Sequence, residues 1–495
     1  MRWKEKSDKV ILQLSLFILC IWVVIMGIQV HKHLHARPGP LPETLKRSIN
    51  PGEEWLGIYM KDQKIGWMSS SVEKVEDGYW LKDRIYTRLT VMGSLKEITT
   101  FIHSKVHPDY TLDSFLFDLR SGAVRFRAIG KMQNLNLIVK IITANHEEKV
   151  RIPIEGPLYL SGGLIKTLQT ARLEKGKRYA FPFFDPSTLS YKTATVRWDA
   201  DETILHRGEE VPVRRLSMTY GGATFLAWFN QRGERIREEG PLGLTLVRED
   251  RRTAQRGMGS PRVRTVDIIA ASAVFPVKKI PDSKSTSYLK VRIWEVDLNG
   301  LDLDGARQKL NGNILEIKRE VLPTRGGYVL PYPSDGPLAR EMNPSPLIQS
   351  DAPRIVKLAR KITARSSDPL NVLHRLNHWV YSNIEKIPVV SVPSALQVLQ
   401  IRKGDCNEHA VLLAALVKAA GIPAQVAAGL VYSGGGFFYH VWVEAFVGQW
   451  VSADPVMGQL PADATHIRIV RGDLQKQAVI LRLLGKMKIE VLANR

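Results

Sequence analysis

The chain has 495 residues, of which 44% are hydrophobic and 24% are charged, and its formal net charge is +21. This length exceeds what one hydrophobic core usually organises, so two or three domains are expected, and the ordinary composition excludes a wholly disordered chain. The basic residues are spread along the sequence without a nucleic-acid-binding motif, which argues against nucleic acid as a partner. The charge predicts affinity for an acidic partner, such as a membrane surface or an anionic cell wall, and a solvated basic surface explains it equally well.

The N-terminal residues 1–30 contain an uncharged hydrophobic run, "VILQLSLFILCIWVVIMGI", preceded by four basic residues. A run of this length can cross a bilayer as a helix, and no cleavage site of small residues follows it. The sequence therefore predicts an uncleaved signal anchor followed by a linker at 31–50. We expect a single-pass protein of the inner (cytoplasmic) membrane, with its main domains in the periplasm or outside the cell.

Residues 51–285 show the alternation and turn residues of short strands, interrupted by one helical stretch within 156–186. No cluster of catalytic residue types occurs in this region. The pattern predicts a β-rich domain built on a large, curved antiparallel sheet with a helix against it. It is similar to half-barrel ligand-binding domains, without a motif that supports the similarity. Residues 286–345 predict a small β segment and a linker rich in Pro and Gly.

Helical spacing begins in the region 346–475. The stretch "SDPLNVLHRLNHWVYSNI" predicts a helix capped by Asp368, with Pro369 in its first turn. His374 and His378 are one helical turn apart, a spacing that could bind a metal. No third ligand accompanies them, so surface or core histidines are the favoured interpretation.

Cys406 is the single cysteine after residue 20, and it lies at the predicted start of a strongly apolar helix that Gly421 and Pro423 would end. The unpaired amides and positive dipole at a helix N-terminus favour a thiolate and could stabilise an oxyanion. Taken alone, a free cysteine is more often a small core residue. The choice between a nucleophile and a core residue therefore depends on a nearby base.

Residues 437–455 predict a β-hairpin with a three-residue loop at 446–448, in which Gly448 can adopt a positive φ. In this register His440 lies opposite Asp454 on the same face of the sheet. A slip of one residue would put the two side chains on opposite faces. The hairpin thus predicts an imidazole held by a carboxylate.

Four separated motifs resemble the transglutaminase-like superfamily of papain-like cysteine enzymes, of the bacterial membrane-anchored type. They are "GDCNEHA" (404–410), "AAGIPAQVAAGLVY" (419–432), "YHVWVEAF" (439–446) and "VSADP" (451–455). The resemblance implies an α+β fold for 346–475, in which the cysteine helix packs against an antiparallel sheet. It also implies a catalytic triad of Cys406 as nucleophile, His440 as general base and then acid, and Asp454 as the orienting carboxylate.

The neighbours of Cys406 support weaker hypotheses. Asp405 and Glu408 suit the N-terminus of a helix, where acidic side chains complement the dipole. His409 ranks second to His440 as a base, because a residue on the same helix points poorly toward the sulfur.

The sequence as a whole predicts an α+β protein, with residues 476–495 as a C-terminal tail. Its predicted function is that of a membrane-anchored cysteine enzyme, which cleaves or transfers peptide or amide acyl groups through a thioester, with a protease or amidase favoured. The alternative is a non-catalytic binding or scaffold protein whose β-rich region binds a ligand or partner. A peptide or protein substrate is expected. No metal or organic cofactor is expected, and no acidic calcium loop occurs in the sequence.

Overall fold

The computed structural model describes residues 52–495, apart from 123, 144–145, 259–264, 365, 473 and 484. The segments for which the sequence predicts a membrane anchor (1–30) and a linker (31–50) lie outside this part of the chain. None of the described helices has the length and hydrophobicity that a bilayer crossing needs. Strands make up 48% and helices 18%, so the prediction of an α+β fold is wrong and the part of the protein that the structure describes is mostly β. The physical reason is the size of the N-terminal sheet, which outweighs the mixed C-terminal region.

The largest element is one antiparallel sheet of fourteen strands. The strands are β1 (Gly52–Met60), β2 (Gln63–Val75), β3 (Gly78–Val91), β4 (Ser94–Val106), β5 (Leu112–Ser121), β6 (Val124–Gln133), β7 (Asn136–Thr143), β8 (His146–Pro153), β9 (Arg178–Asp185), β10 (Ser190–His206), β11 (Glu209–Tyr220), β12 (Ala223–Asn230), β13 (Arg235–Glu239) and β14 (Leu244–Glu249). Strands β1–β8 and β9–β14 each run in chain order across the sheet, and the two series join where β1 pairs with β14. Helix α1 (Ser161–Thr170) lies between β8 and β9 in the chain.

Strand β7 illustrates why this region forms a sheet. Leu137, Val139 and Ile141 are buried, whereas the residues between them are partly exposed. This period of two places one face against a core that includes Phe117 and Phe126, while the other face meets solvent.

A smaller antiparallel sheet follows two short helices, α2 (Arg251–Gln255) and α3 (Ile268–Ser272). Its strands are β15 (Tyr288–Trp294), β16 (Gln308–Asn311), β17 (Ile314–Lys318) and β24 (Lys488–Asn494), in the spatial order β16-β17-β15-β24. The segment predicted as a tail, 476–495, therefore supplies a paired strand. Ile489 and Val491 explain the pairing, because both side chains are buried in the core beneath β15.

The region from residue 353 to 477 combines helices with a four-stranded sheet. Its elements are α4 (Pro353–Thr363), α5 (Pro369–Asn383), β18 (Glu385–Lys386), α6 (Ala395–Ile401), β19 (Lys403–Gly404), α7 (Cys406–Ala419), β20 (Ala424–Ser433), β21 (Gly436–Phe446), β22 (Trp450–Ala453), β23 (Ile467–Arg471) and α8 (Leu474–Gln477). The four-stranded sheet has the order β22-β21-β20-β23, and all its pairs are antiparallel. One continuous core connects this region with the smaller sheet.

Helix α7 is the centre of that core. It begins with a capping box, in which the Asp405 side chain accepts a hydrogen bond from the Asn407 amide and the Glu408 carboxylate accepts one from the Asp405 amide. All residues of 410–417 are buried, and the helix contacts α4, α5, α6, β20 and β21. A helix that is apolar on all sides is stable only when other elements surround it, which fixes the position of its first residue, Cys406.

Replacement of a fully buried leucine in α7 should destabilise the protein strongly. We expect Leu413→Ala to lower the free energy of unfolding by about 2–5 kcal/mol, because it removes apolar contacts and leaves a cavity. Denaturant unfolding followed by tryptophan fluorescence measures the change. Leu205→Ala is the matched control: Leu205 is 73% exposed, so its loss should change stability by less than about 0.5 kcal/mol. Equal effects of the two substitutions would contradict the central role of α7.

Candidate active site

Cys406 is the first residue of α7, and its side chain is partly buried against strand β21. The backbone N–H of Val441 donates a hydrogen bond to its sulfur. Tyr439 precedes His440 in the chain, and its phenol is close enough to Cys406 for a charge on the sulfur to raise the pKa of Tyr439. The sulfur therefore lies beside the segment of β21 that carries His440.

The surroundings of Cys406 favour the neutral thiol when the group is considered alone. Burial raises the pKa of the thiol well above its usual value, and the charges of Asp405 and Glu408 raise it further. The hydrogen bond from Val441 acts in the opposite direction. The net direction is opposite to the effect expected from a helix N-terminus alone, so a thiolate at this position requires a proton acceptor next to it.

His440 and Asp454 are in direct contact. The distance between His440 Nε2 and Asp454 Oδ2 is 2.8 Å, and both side chains are buried. The second carboxylate oxygen, Oδ1, accepts hydrogen bonds from the backbone amides of Val456 (2.7 Å) and Met457 (2.9 Å). An ionised carboxylate only accepts hydrogen bonds, so His440 Nε2 carries the proton and Nδ1 remains as the acceptor.

The register of the hairpin differs from the prediction. Phe446 pairs with Trp450, so the loop is 447–449 instead of 446–448 and the pairing is displaced by two residues. Asp454 lies just beyond the end of β22 and reaches His440 diagonally. A displacement of two keeps both side chains on the same face, because the side-chain period of a strand is two. The predicted positive φ of Gly448 is confirmed, at 104°.

A second histidine, His466, shares the Asp454 carboxylate and was missed in the sequence. Its Nε2 is 3.0 Å from Asp454 Oδ2, and its Nδ1 is 3.2 Å from Asp463 Oδ1. His466 is fully buried, in the segment before β23. The sequence offered only a weak signal. The polar residues Asp463, Thr465 and His466 follow one another closely, at no spacing from His440 or Asp454 that indicates a shared site.

The two histidines determine the charge state of the acids around them. Burial alone would raise the pKa of Asp454, but the charges and hydrogen bonds of His440 and His466 outweigh burial and hold it well below its usual range. Burial likewise opposes protonation of His466, yet its hydrogen bonds to Asp454 and Asp463 raise its pKa overall. Asp454 is therefore ionised at neutral pH, with two histidine N–H donors on one of its oxygens.

Ligand atoms of His440, Asp454 and His466 lie within 4.8 Å of one another, so these residues form a donor set that could hold a metal ion. The facing atoms are at hydrogen-bonding distances, and protons shared between them account for the arrangement without an ion. The other histidine pair considered for metal binding, His374 and His378, lies exposed on α5.

The remaining neighbours have structural roles. Both ring nitrogens of His409 face backbone carbonyls, Nδ1 at 2.7 Å from Asp405 O and Nε2 at 3.3 Å from Ile384 O, which leaves neither nitrogen for a substrate. The fully buried ring of Trp442 packs beside His440, with 6.3 Å between ring centroids, and meets His466 edge-on at 5.2 Å. The indole thus shields the contact between imidazole and carboxylate from water.

Residues 356–455 match the family model of the Transglutaminase-like superfamily. This part of the chain is a transglutaminase-like domain, and it contains Cys406, His440 and Asp454. A comparison of the sequence with curated proteins found no match.

Three solved structures show limited similarity to the chain. A candidate cysteine protease from Cytophaga hutchinsonii is 19% identical, covering 42% of this chain and 87% of that one with a TM-score of 0.28. A β-barrel-like protein of the domain of unknown function DUF1849 from Brucella abortus is 12% identical, covering 40% and 94% with a TM-score of 0.32. The periplasmic domain of TgpA from Pseudomonas aeruginosa is 19% identical, covering 38% and 83% with a TM-score of 0.23. Because all three TM-scores are low, the function is inferred from the family match and the side chains of the site.

Replacement of the shared carboxylate should destabilise the folded state in a pH-dependent way. Asp454→Asn should lower the free energy of unfolding at pH 7 by about 3–5 kcal/mol, because an amide cannot accept hydrogen bonds from two histidines and two backbone amides at once. The folded-state pKa of Asp454 is lowered, so its stabilising contribution is present above the unfolded value of about 3.9 and is lost as the pH falls. The difference between wild type and variant, measured by urea unfolding, should therefore shrink below about pH 4.

Asp201→Asn provides the control for this experiment. Asp201 is 55% exposed and pairs with Lys175 at the surface, so its replacement should change stability by less than about 0.5 kcal/mol. A difference for Asp454→Asn that stays constant from neutral to strongly acidic pH would contradict the assignment of an ionised carboxylate.

Proposed function

We propose that the protein is a cysteine-type acyl hydrolase acting on peptide or protein amides. In this proposal Cys406 is the nucleophile, His440 is the general base and acid, and Asp454 orients the imidazole. The proposal is supported by the position of Cys406 beside the segment of β21 that carries His440, whose Nε2 is in hydrogen-bonding contact with Asp454. The family match supports a cysteine-type enzyme at a coarser level.

The first step activates the sulfur. Because Nε2 of His440 donates to Asp454, Nδ1 is the nitrogen that can take the proton of the Cys406 thiol. The resulting imidazolium is stabilised by the Asp454 carboxylate, which offsets the cost of forming a thiolate in a buried place. The raised pKa of Cys406 makes this paired transfer necessary.

The thiolate then attacks the carbonyl carbon of the amide. A carbon–sulfur bond forms and the π electron pair moves to oxygen, where the backbone amide of Cys406, the first of α7, would stabilise the charge. The His440 imidazolium returns its proton to the leaving amine, the carbon–nitrogen bond breaks and a thioester remains. Water, deprotonated by His440, cleaves the thioester and restores the thiol.

The acceptor of the acyl group separates two outcomes of this chemistry. With water the products are a carboxylate and an amine, whereas with a second amine the product is a new amide bond. We propose hydrolysis, since water reaches any acyl-enzyme from which the amine has departed. Mass spectrometry of the products, with and without an added primary amine, distinguishes the two outcomes.

Docking on an anionic cell-wall polymer is a second candidate function, supported by the solvent-facing side of strands β3–β8. This side, which we call the basic face, lies opposite the apolar core face of the same strands. Its exposed and partly exposed basic residues are Lys82, Arg84, Lys105, Arg120, Arg125, Arg127, Lys131, Lys140, Lys149 and Arg151, and its acidic residues are Glu97, the buried Asp118 and Glu147. An excess of positive charge over six strands is complementary to an extended polyanion. Such docking would hold the enzyme near a peptide substrate outside the cytoplasm, a location that stays a prediction.

The reactivity of the thiol tests the catalytic proposal. Iodoacetamide should alkylate Cys406 rapidly at pH 7, and His440→Ala should slow alkylation by about 100-fold or more, because the proton acceptor is lost. Peptide mapping by mass spectrometry separates label on Cys406 from label on Cys20, and Cys406→Ser should abolish labelling of the peptide that contains residue 406. His378→Ala is the matched control, since this exposed histidine lies on α5 and should leave the rate unchanged. A slow wild-type reaction, or one insensitive to His440→Ala, would refute the proposal.

Binding to a soluble polyanion tests the proposed role of the basic face. The triple variant Lys131→Gln, Lys149→Gln and Arg151→Gln should weaken binding of the full chain to inorganic polyphosphate by roughly tenfold or more, since each exposed cation near an anionic surface contributes about 1 kcal/mol.

The control for this measurement replaces three exposed lysines elsewhere, Lys278, Lys279 and Lys284, by glutamine and removes the same charge. Equal weakening by both triple variants would show that only net charge matters. Stronger binding to phosphatidylglycerol vesicles than to polyphosphate would favour a membrane surface instead.

A further inference from the structure

The carboxylate of Asp454 serves two histidines, although the proposed mechanism uses only one. We propose that His466 is a positioning residue, which keeps a proton and a positive charge beside Asp454 and thereby limits how strongly that carboxylate holds a proton on His440. This inference rests on the proposed function of the same site. His466 would act through Asp454 and His440, without touching the substrate.

The hydrogen bonds of His466 require a charged ring. Nε2 faces Asp454 Oδ2 at 3.0 Å and Nδ1 faces Asp463 Oδ1 at 3.2 Å. Both carboxylates only accept hydrogen bonds, and a neutral imidazole has a single N–H, so only the imidazolium satisfies both contacts. The pKa of Asp463 is lowered to about 2 despite burial, chiefly through its hydrogen bond to His466, so this carboxylate is ionised.

Asp463 is itself held in place from several sides. Its Oδ1 accepts hydrogen bonds from the amide (2.8 Å) and hydroxyl (2.6 Å) of Thr465, and its Oδ2 accepts one from the side chain of Gln459 at 2.8 Å. Arg307 donates a hydrogen bond to the Asp463 backbone carbonyl. These hydrogen bonds hold the loop that contains Asp463 and His466. They therefore fix the ring of His466 already in the state in which His440 is neutral.

The residues in contact with one another around His466 carry a net negative charge. Asp454 and Asp463 contribute two negative charges and His466 one positive charge. Three other charged groups are near: Lys386, which acts on Asp454 at longer range, and Arg307 with Glu320, which contact the neighbouring backbone and Ser452. Without His466 the carboxylates would hold a proton on His440 more strongly.

The distance between the two imidazoles sets the size of the effect. Their ring centroids are 5.7 Å apart. Loss of a positive charge at this distance raises the proton affinity of neighbouring groups by about one pH unit. The thiol of Cys406 should then lose its proton at higher pH.

The test is the pH profile of Cys406 alkylation in the full-length protein. In His466→Gln the amide can still donate to Asp454 but carries no charge. The midpoint of the plot of the iodoacetamide rate constant against pH should move upward by about one unit, while the plateau rate changes by less than about tenfold. A purely structural role would change the rate or the stability without moving the midpoint.

The control is the same substitution at His409, which is also fully buried but has no contact with Asp454. His409→Gln should leave the midpoint in place. An unchanged midpoint in a folded His466→Gln protein overturns the inference alone, whereas absence of labelling in the wild type overturns the proposed function and the inference with it.

A second measurement decides the case in which His466→Gln does not fold. In the wild type labelled with ¹⁵N-histidine, one imidazole should keep both N–H protons at pH 8, and its signals should change in Asp463→Asn. A spectrum in which every imidazole is neutral at pH 8 overturns the inference.

Discussion

One buried carboxylate determines the geometry of the candidate site. Two backbone amides fix one oxygen of Asp454, and His440 and His466 bind the other. An isolated ion would cost several kcal/mol to bury in this place, so all four donors must be assembled for it to remain ionised. The orientation of the His440 ring follows from that assembly, because its Nε2 is held by Asp454.

The parts of the site that the sequence predicts depend on short-range signals. The capping residues Asp405 and Glu408 and the apolar run after them mark the start of α7, and the structure has the helix beginning at Cys406. The hairpin that carries His440 was also predictable, because strand alternation fixes the face even when the register is wrong by two. Local periodicity and capping therefore sufficed to predict the start of the helix at Cys406 and the contact between His440 and Asp454.

Long-range contacts leave no comparable signal. The pairing of β1 with β14 joins segments about 190 residues apart, and neither strand alone indicates its partner. The role of His466 was missed for the same reason. It depends on a loop that brings the side chain into contact with Asp454, and the sequence of the loop does not indicate that contact. The α+β prediction failed although it included a β-rich domain at 51–285, because the fourteen strands of that sheet dominate the architecture.

The smaller sheet links distant parts of the chain to the site. Strand β24 pairs with β15, about two hundred residues earlier, and both contribute to the core that surrounds α7. During synthesis on the ribosome, this core cannot close until residue 494 has emerged from the exit tunnel. A nascent polypeptide that already displays Cys406 would therefore lack the packing that holds its sulfur beside His440, so the reactive centre matures only late in translation.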